Sequence, residues 1–282
     1  MNPVQIEVAD DDLRGMAVPL RHCMVVRLGA VDPDVVTELE ASGYDQAPVT
    51  DAGGSRFYGL VLTRELRALL HAGAPLALEA HGAMMARRCL SIGRGVGLRL
   101  LLEKLGEEGA VLVDNVVGAD QHGEHRMSLG LIAVADLNRQ PLRSVLYGYL
   151  ARAERGLMQL VRLRCLDPWK WLTRLNEDAQ VRIIGYWELA KRQGIDVGPY
   201  VALTLTDLFR IVEREPELLS ELGYKSKTSF SNATGPLVDL RNRIMHPIRP
   251  LVHTRSDVQR LATHVEDLEV LCSLAESCSG SS

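Results

Sequence analysis

Arg241 and His246 stand five residues apart in Leu240-Arg241-Asn242-Arg243-Ile244-Met245-His246-Pro247, late in a chain of 282 residues. An imidazole with an ordinary pKa of about 6.5 exchanges protons at neutral pH. A guanidinium stays charged, holds a phosphate and neutralises charge gained in a transition state. The pair suits phosphodiester chemistry without a metal, because RNA supplies its own nucleophile, the 2′-hydroxyl, and requires no Ser or Cys. On a helix the spacing is about 500° of rotation, so the two side chains are offset but can line one concave edge. A plainer reading stands beside this one. Arg241 can pair with Asp239 or another carboxylate, and His246 can cap a helix end that Pro247 stops.

A second set of candidates comes as an internal repeat. Phe57-Tyr58-Gly59-Leu60-Val61-Leu62 is followed by Thr63-Arg64-Glu65-Leu66, and Leu129-Gly130-Leu131-Ile132-Ala133-Val134 by Ala135-Asp136-Leu137. Each apolar run is short enough for a buried strand and ends in a polar turn with an acidic residue. Gly59 and Glu65 lie six apart, as do Gly130 and Asp136, and both pairs are displaced by 71 residues. Upstream, Asp32-Pro33 reads as an N-cap and first helical residue opening a helix that stops at Gly43. A strand is expected through Ala47-Pro48-Val49 and a turn through Ala52–Ser55. In the second copy VGLRLLLEKL reads as the helix, Gly109–Val113 as the strand and residues 114–126 as a polar loop, so each unit is helix–strand–strand–helix.

Residues 16–155 thereby resemble a tandem pair of CBS domains, named after cystathionine β-synthase, with repeats at about 16–75 and 85–155. GYDQAPVTD…FYGLVLTREL resembles that family's signature and GAVLVD…LGLIAVADL a weaker second copy. The resemblance implies a pseudo-twofold module whose clefts take an adenine nucleotide (ATP, ADP or AMP) or S-adenosylmethionine. The acidic residue would grip the ribose hydroxyls and a Thr or Ser would support a phosphate. The family's Thr position is Leu62 in the first copy, with Thr63 adjacent, and Ala133 in the second. Glu65, Thr63, Asp136 and Ala133 are therefore the ligand-binding candidates. In the first turn of a helix, both carboxylates also have a purely structural role at the positive dipole end.

Downstream the strand signal disappears. Eight Lys or Arg (Arg139, Arg143, Arg152, Arg155, Arg162, Arg164, Lys170, Arg174) meet only Glu154 and Asp167 between residues 139 and 174. That run reads either as a solvated face of a connecting helix or as a phosphate-contacting surface. From Asp167-Pro168 onward the pattern is helical, with a Lys- and Ser-rich loop at 224–234 and a last helix before a disordered tail at 277–282. The motif at Arg241 resembles the Arg-x4-6-His signature of the HEPN superfamily, helical-bundle proteins prominent in RNA cleavage and bacterial conflict systems. That resemblance covers residues 168–276. It implies a homodimer with RNA as substrate, Arg241 on the phosphate, His246 as general acid or base, Asn242 orienting the site, and Arg243, Arg249 and Arg255 adding substrate-facing charge.

The expected fold class is thus an α+β CBS-pair module followed by an all-α bundle, with residues 1–15 as an arm and 156–167 as a basic linker helix. The expected function is that of an adenine-nucleotide-responsive, metal-independent endoribonuclease of a defence or toxin-type system. The alternative is a non-catalytic sensing or dimerisation module that regulates a partner. Composition constrains both readings. A net charge of -4 and a pI of 6.1 exclude a uniformly basic coat. Five scattered cysteines without a CxxC pair argue against a disulfide framework or a zinc ribbon. No apolar run approaches the roughly 18 residues of a membrane helix, and the acidic N-terminus has no secretory h-region, so a cytoplasmic location is expected. Gly93-Arg94-Gly95-Val96-Gly97 reads as a linker rather than a phosphate loop, and Asp120–His125 as a polar loop rather than a metal site.

Overall fold

Local signals set most element boundaries in the computed structural model, which describes residues 5–19, 22–51, 57–77, 89–90, 96–113 and 130–280. The chain opens with β1 (Glu7–Val8), α1 (Asp10–Met16), β2 (Val18–Pro19) and β3 (Val26–Arg27). Helix α2 (Pro33–Ala41) begins as expected: Asp32 accepts a hydrogen bond from the Asp34 N–H, and Pro33 takes a position whose amide would lack a partner anyway. Strands β4 (Gln46–Thr50) and β5 (Phe57–Leu62) follow, then α3 (Thr63–Ala72), closed by Gly73 at φ 62°. The second copy comprises β6 (Cys89–Leu90), β7 (Val96–Gly97), α4 (Leu98–Glu108), β8 (Ala110–Val113), β9 (Gly130–Ala133) and a 3-10 turn at Val134–Asn138.

The two larger sheets share one wiring. Strand β3 runs parallel to β4, which is antiparallel to β5; β6 runs parallel to β8, which is antiparallel to β9, and β2 adds to the far side of β9. Val26 faces Val49 and Cys89 faces Leu112, so each leading strand runs 23 residues ahead of its partner. A parallel pair needs a long crossover, which α2 and α4 provide. These leading strands, two residues each, add to the expected helix–strand–strand–helix unit; runs so short carry no periodic signal. Side chains alternate across β4 and β5. Ala47, Val49 and Val61 enter a core with Val26, Val36, Leu39, Leu66 and Leu76, while Leu60 faces the other way and packs with Ala110, Leu112 and Leu131.

The helical half consists of α5 (Gln140–Arg164), α6 (Pro168–Leu172), α7 (Glu177–Arg192), α8 (Leu205–Arg214), α9 (Pro216–Glu221), α10 (Lys227–Met245) and α11 (Arg255–Gly280). The chain divides into one compact unit of residues 8–96 and 104–139 and another of 1–7, 97–103 and 140–282. The boundary therefore falls at 139/140 rather than at 155/156. Helix α5 is uninterrupted, and its buried stripe runs from Leu142 through Leu146, Leu150, Ala153 and Leu157 to Val161, so the expected linker 156–167 lies inside the helical unit. Gly156 lets α11 approach closely: a Cβ there would stand 2.7 Å from that of Ala275.

Three further expectations change. Of the supposed arm, residues 5–15 are structured: Ile6 is buried, its N–H donates to Glu269 (2.7 Å), and α1 buries Leu13 and Met16. The supposed loop 224–234 is mostly helix. Ser226 caps α10 by accepting from the Ser229 N–H, and the stripe Phe230, Thr234, Leu237, Leu240, Ile244 outweighs the breaking tendency of Gly235-Pro236. Helix α11 continues to Gly280, with the Ser273 and Ser277 hydroxyls donating to carbonyls four residues back, so residues 277–280 of the expected tail are helical. The turn at 52–55, the loop at 114–126, Gly93-Arg94-Gly95 and Asp120–His125 lie outside the described residues.

Candidate functional site

The Arg241–His246 motif forms the end of α10. Leu237, Leu240 and Ile244 are buried, and Arg241 lies at the edge of that stripe, half-buried. Its positive charge acts on Glu154 of α5, whose carboxyl burial pushes above the usual range while Arg241 and the Leu205 N–H pull it back. The helix ends at Met245. His246 leaves it at φ -114°, its N–H donating to the Asn242 carbonyl (3.2 Å). The two motif residues thus do not share a helical edge, and no side-chain hydrogen bond joins Arg241, Asn242 and His246 among the described residues. The His246 carbonyl accepts from the Arg249 N–H (2.8 Å), closing a turn in which Ile248 is 94% exposed and His246, Pro247 and Arg249 are exposed too.

What holds this turn is Arg143, a residue the sequence reading assigned to a solvated or phosphate-facing surface. Its buried guanidinium donates to the Arg243 carbonyl and to the Arg249 carbonyl, 2.6 Å each, gripping the last turn of α10 and the loop beyond it. Burial pushes the Arg143 guanidinium below its ordinary value. Arg243 pairs with Asp239 (3.0 Å) and reaches the Leu251 carbonyl, so Asp239 serves Arg243 and not Arg241. Arg255 is exposed at the start of α11. His264, half-buried on α11, is pushed down in pKa by burial and by Arg243, and its Nδ1 is buried without a hydrogen-bond partner.

In the repeats both candidate carboxylates cap their own turns. The Ala133 N–H donates to Asp136 (2.8 Å) and the Leu62 N–H to Glu65 (3.4 Å). Arg139 also pairs with Asp136 at 2.8 Å. Burial nevertheless holds Asp136 above the usual carboxylate range, and its proximity helps push Cys23 up to about 11. The Thr63 hydroxyl donates to the Tyr44 carbonyl (2.6 Å), tying α3 to the loop before β4.

A different pair was missed. Gln46 and Thr50 are buried on β4, and neither the Gln46 amide oxygen and nitrogen nor the Thr50 hydroxyl has a hydrogen-bond partner among the described residues. Strand alternation places them with Pro48 on the face that carries Leu60, opposite Ala47 and Val49. The signal was present in the sequence as a glutamine opening an otherwise apolar strand, but its burial was not legible.

Part of the basic run is neutralised. Arg152 pairs with Glu276, Arg164 with Glu221 (2.6 Å) and Arg174 with Glu215 (3.1 Å), all carboxylates far away in sequence. Among the described residues no group of three or more His, Cys, Asp or Glu is placed to hold a metal, and no helix is long and apolar enough to cross a membrane.

No protein-family model matches the chain, and no curated protein does. Among the solved structures similar to part of it are two of CBS domains. The CBS domain of the bacterial CNNM/CorC family Mg2+ transporter in complex with ATP is 15% identical, covering 44% of this chain and 82% of that one with a TM-score of 0.31. A CBS domain protein from Streptococcus pneumoniae TIGR4 is 16% identical, covering 49% and 90%, with a TM-score of 0.33. At these values function has to be read from the chain's own residues.

Proposed function

We propose that the repeat unit senses an adenine-containing nucleotide and that the helical unit acts on RNA. The observation that carries the sensing role is the unpartnered polar set on β4. An amide buried without hydrogen bonds costs about 1–3 kcal/mol, which a ligand offering complementary donors and acceptors recovers. A purine edge does so for the Gln46 amide. Asp136 and Glu65 then serve the ribose only by exchanging their capping bonds, which makes Gln46 the better probe of binding. Thermal melting with ATP, ADP, AMP and S-adenosylmethionine tests this, since a ligand at ~100 times its Kd adds ~2.7 kcal/mol. Gln46→Leu is expected to raise ligand-free stability by about 1 kcal/mol and to abolish the ligand-induced rise. No response to any of the four, or a full response in the variant, overturns the assignment.

For the helical unit, the reading is metal-independent cleavage of RNA, with His246 as proton-transfer group and Arg241, Arg249 and Arg255 supplying positive charge. The turn pinned by Arg143, which holds the backbone on either side of an exposed imidazole, supports it. Incubation with total RNA and tRNA in excess EDTA is the test. Specific cuts should fall at least ~100-fold in His246→Ala. A second reading, the non-catalytic module, is favoured by the half-buried place of Arg241 on α10, where its charge acts on Glu154. Nucleotide-dependent melting without any RNA cleavage would select it.

A further inference from the structure

Helix α7 buries Ala179, Ile183 and Ala190 on one side and leaves the opposite side uncovered. That uncovered side is centred on Gly185. Asp178, Val181, Arg182, Gly185, Glu188, Leu189 and Arg192 are all exposed, Val181 to 65% and Leu189 to 55%. At about 100° per residue, each lies within roughly 60° of Gly185. Nothing stands within 4 Å of where a Gly185 Cβ would be. An exposed glycine inside a helix is destabilising relative to alanine, and no close approach among the described residues requires it.

The stripe is complementary to itself. Counting outward from Gly185, Val181 and Leu189 lie four residues to either side, Arg182 and Glu188 three, and Asp178 and Arg192 seven. In a twofold contact between identical helices, the residue n places before the centre meets the residue n places after it. Two α7 helices crossing nearly antiparallel at Gly185 therefore seat Val181 on Leu189 of the second copy. They also oppose Asp178 to Arg192, about 20° to either side of the seam, whereas Arg182 and Glu188, about 60° out on opposite flanks, are not brought together. Asp178 and Arg192 have no hydrogen-bond or ion-pair partner within the described chain, whereas Arg182 is already tied to Asp207 and Glu188 lies 3.5 Å from Lys191. The helix dipole favours the same signs at the two ends. It does not account for a central glycine flanked by two exposed aliphatic side chains.

We propose that α7 is a homodimer contact of this protein, two copies meeting antiparallel about Gly185. The contact is independent of the nucleotide and RNA readings above. Sedimentation velocity of the full chain over a range of concentrations tests it, with folding of each variant checked by circular dichroism and melting. Wild type should dimerise, and Asp178→Arg and Arg192→Asp should each raise the dissociation constant at least ~10-fold through like-charge opposition. The double variant D178R/R192D restores opposite charges and should return to within ~3-fold of wild type. Leu189→Glu should weaken the dimer in every background. A monomeric wild type, single variants without effect, or a double variant as weak as the singles would each overturn the proposal.

Discussion

The two units fix their charged residues in opposite ways. In the repeats, Asp136 and Glu65 each hold an N–H three residues earlier, at the positive start of a turn. In the helical unit, Arg143 holds carbonyls 100 and 106 residues away, at the negative end of α10. The first kind of contact closes a loop of three residues and forms as the turn forms. The second needs α5 and α10 already packed, because only the finished core brings a guanidinium beside those carbonyls and excludes water from them. A local cap stabilises one element, whereas a remote clamp reports on the whole unit.

The largest test of that contrast is Arg143→Met, expected to cost about 3 kcal/mol in urea unfolding, because two carbonyls lose charge-assisted bonds in a buried setting. Arg143→Lys should rescue little, since one ammonium lacks the planar fork. A loss under ~0.5 kcal/mol would show that packing alone holds the turn. Next comes Asp136→Ala at about 1–2 kcal/mol, with Glu65→Ala at roughly half that, its bond being longer. Equal losses would remove the difference between the two copies.

The smallest effect is electrostatic. Burial raises the Glu269 carboxyl more than the Ile6 N–H and Arg99 lower it. Its contribution to stability is therefore full below the ordinary carboxylate pKa and is lost as pH rises through the elevated native value. Wild type should be most stable relative to Glu269→Gln near pH ~4 and lose that advantage toward pH ~7 in melting experiments. An advantage that grows with pH would mean that the hydrogen bond, and not burial, dominates.

Much of the repeat unit was legible because its signals are local. Asp32 and Pro33 announced α2, and the matched Gly59–Glu65 and Gly130–Asp136 spacings announced two equivalent strand-to-turn corners. The structure turned both carboxylates into caps, the plainer of the two roles open to them. In the helical unit the same kind of reading failed at Gly235-Pro236, where two local helix breakers were outweighed by a buried stripe from Phe230 to Ile244. Along the basic run the solvated-face alternative fits every residue but the buried Arg143, while the opposing carboxylates Glu215, Glu221 and Glu276, on α8's end, α9 and α11, lay too far away in sequence to be read.

Residue types and short spacings determined the two-part architecture, the starts of α2 and α6 and the identity of the candidate proton-transfer group. Whether a given side chain faces water, a carbonyl or a second charge was decided by the tertiary structure alone. Arg143, Arg241 and Gln46 show why. Each is an ordinary polar residue until packing strips its solvent, and the partner that replaces water, or the lack of one, comes from elements that local sequence cannot place.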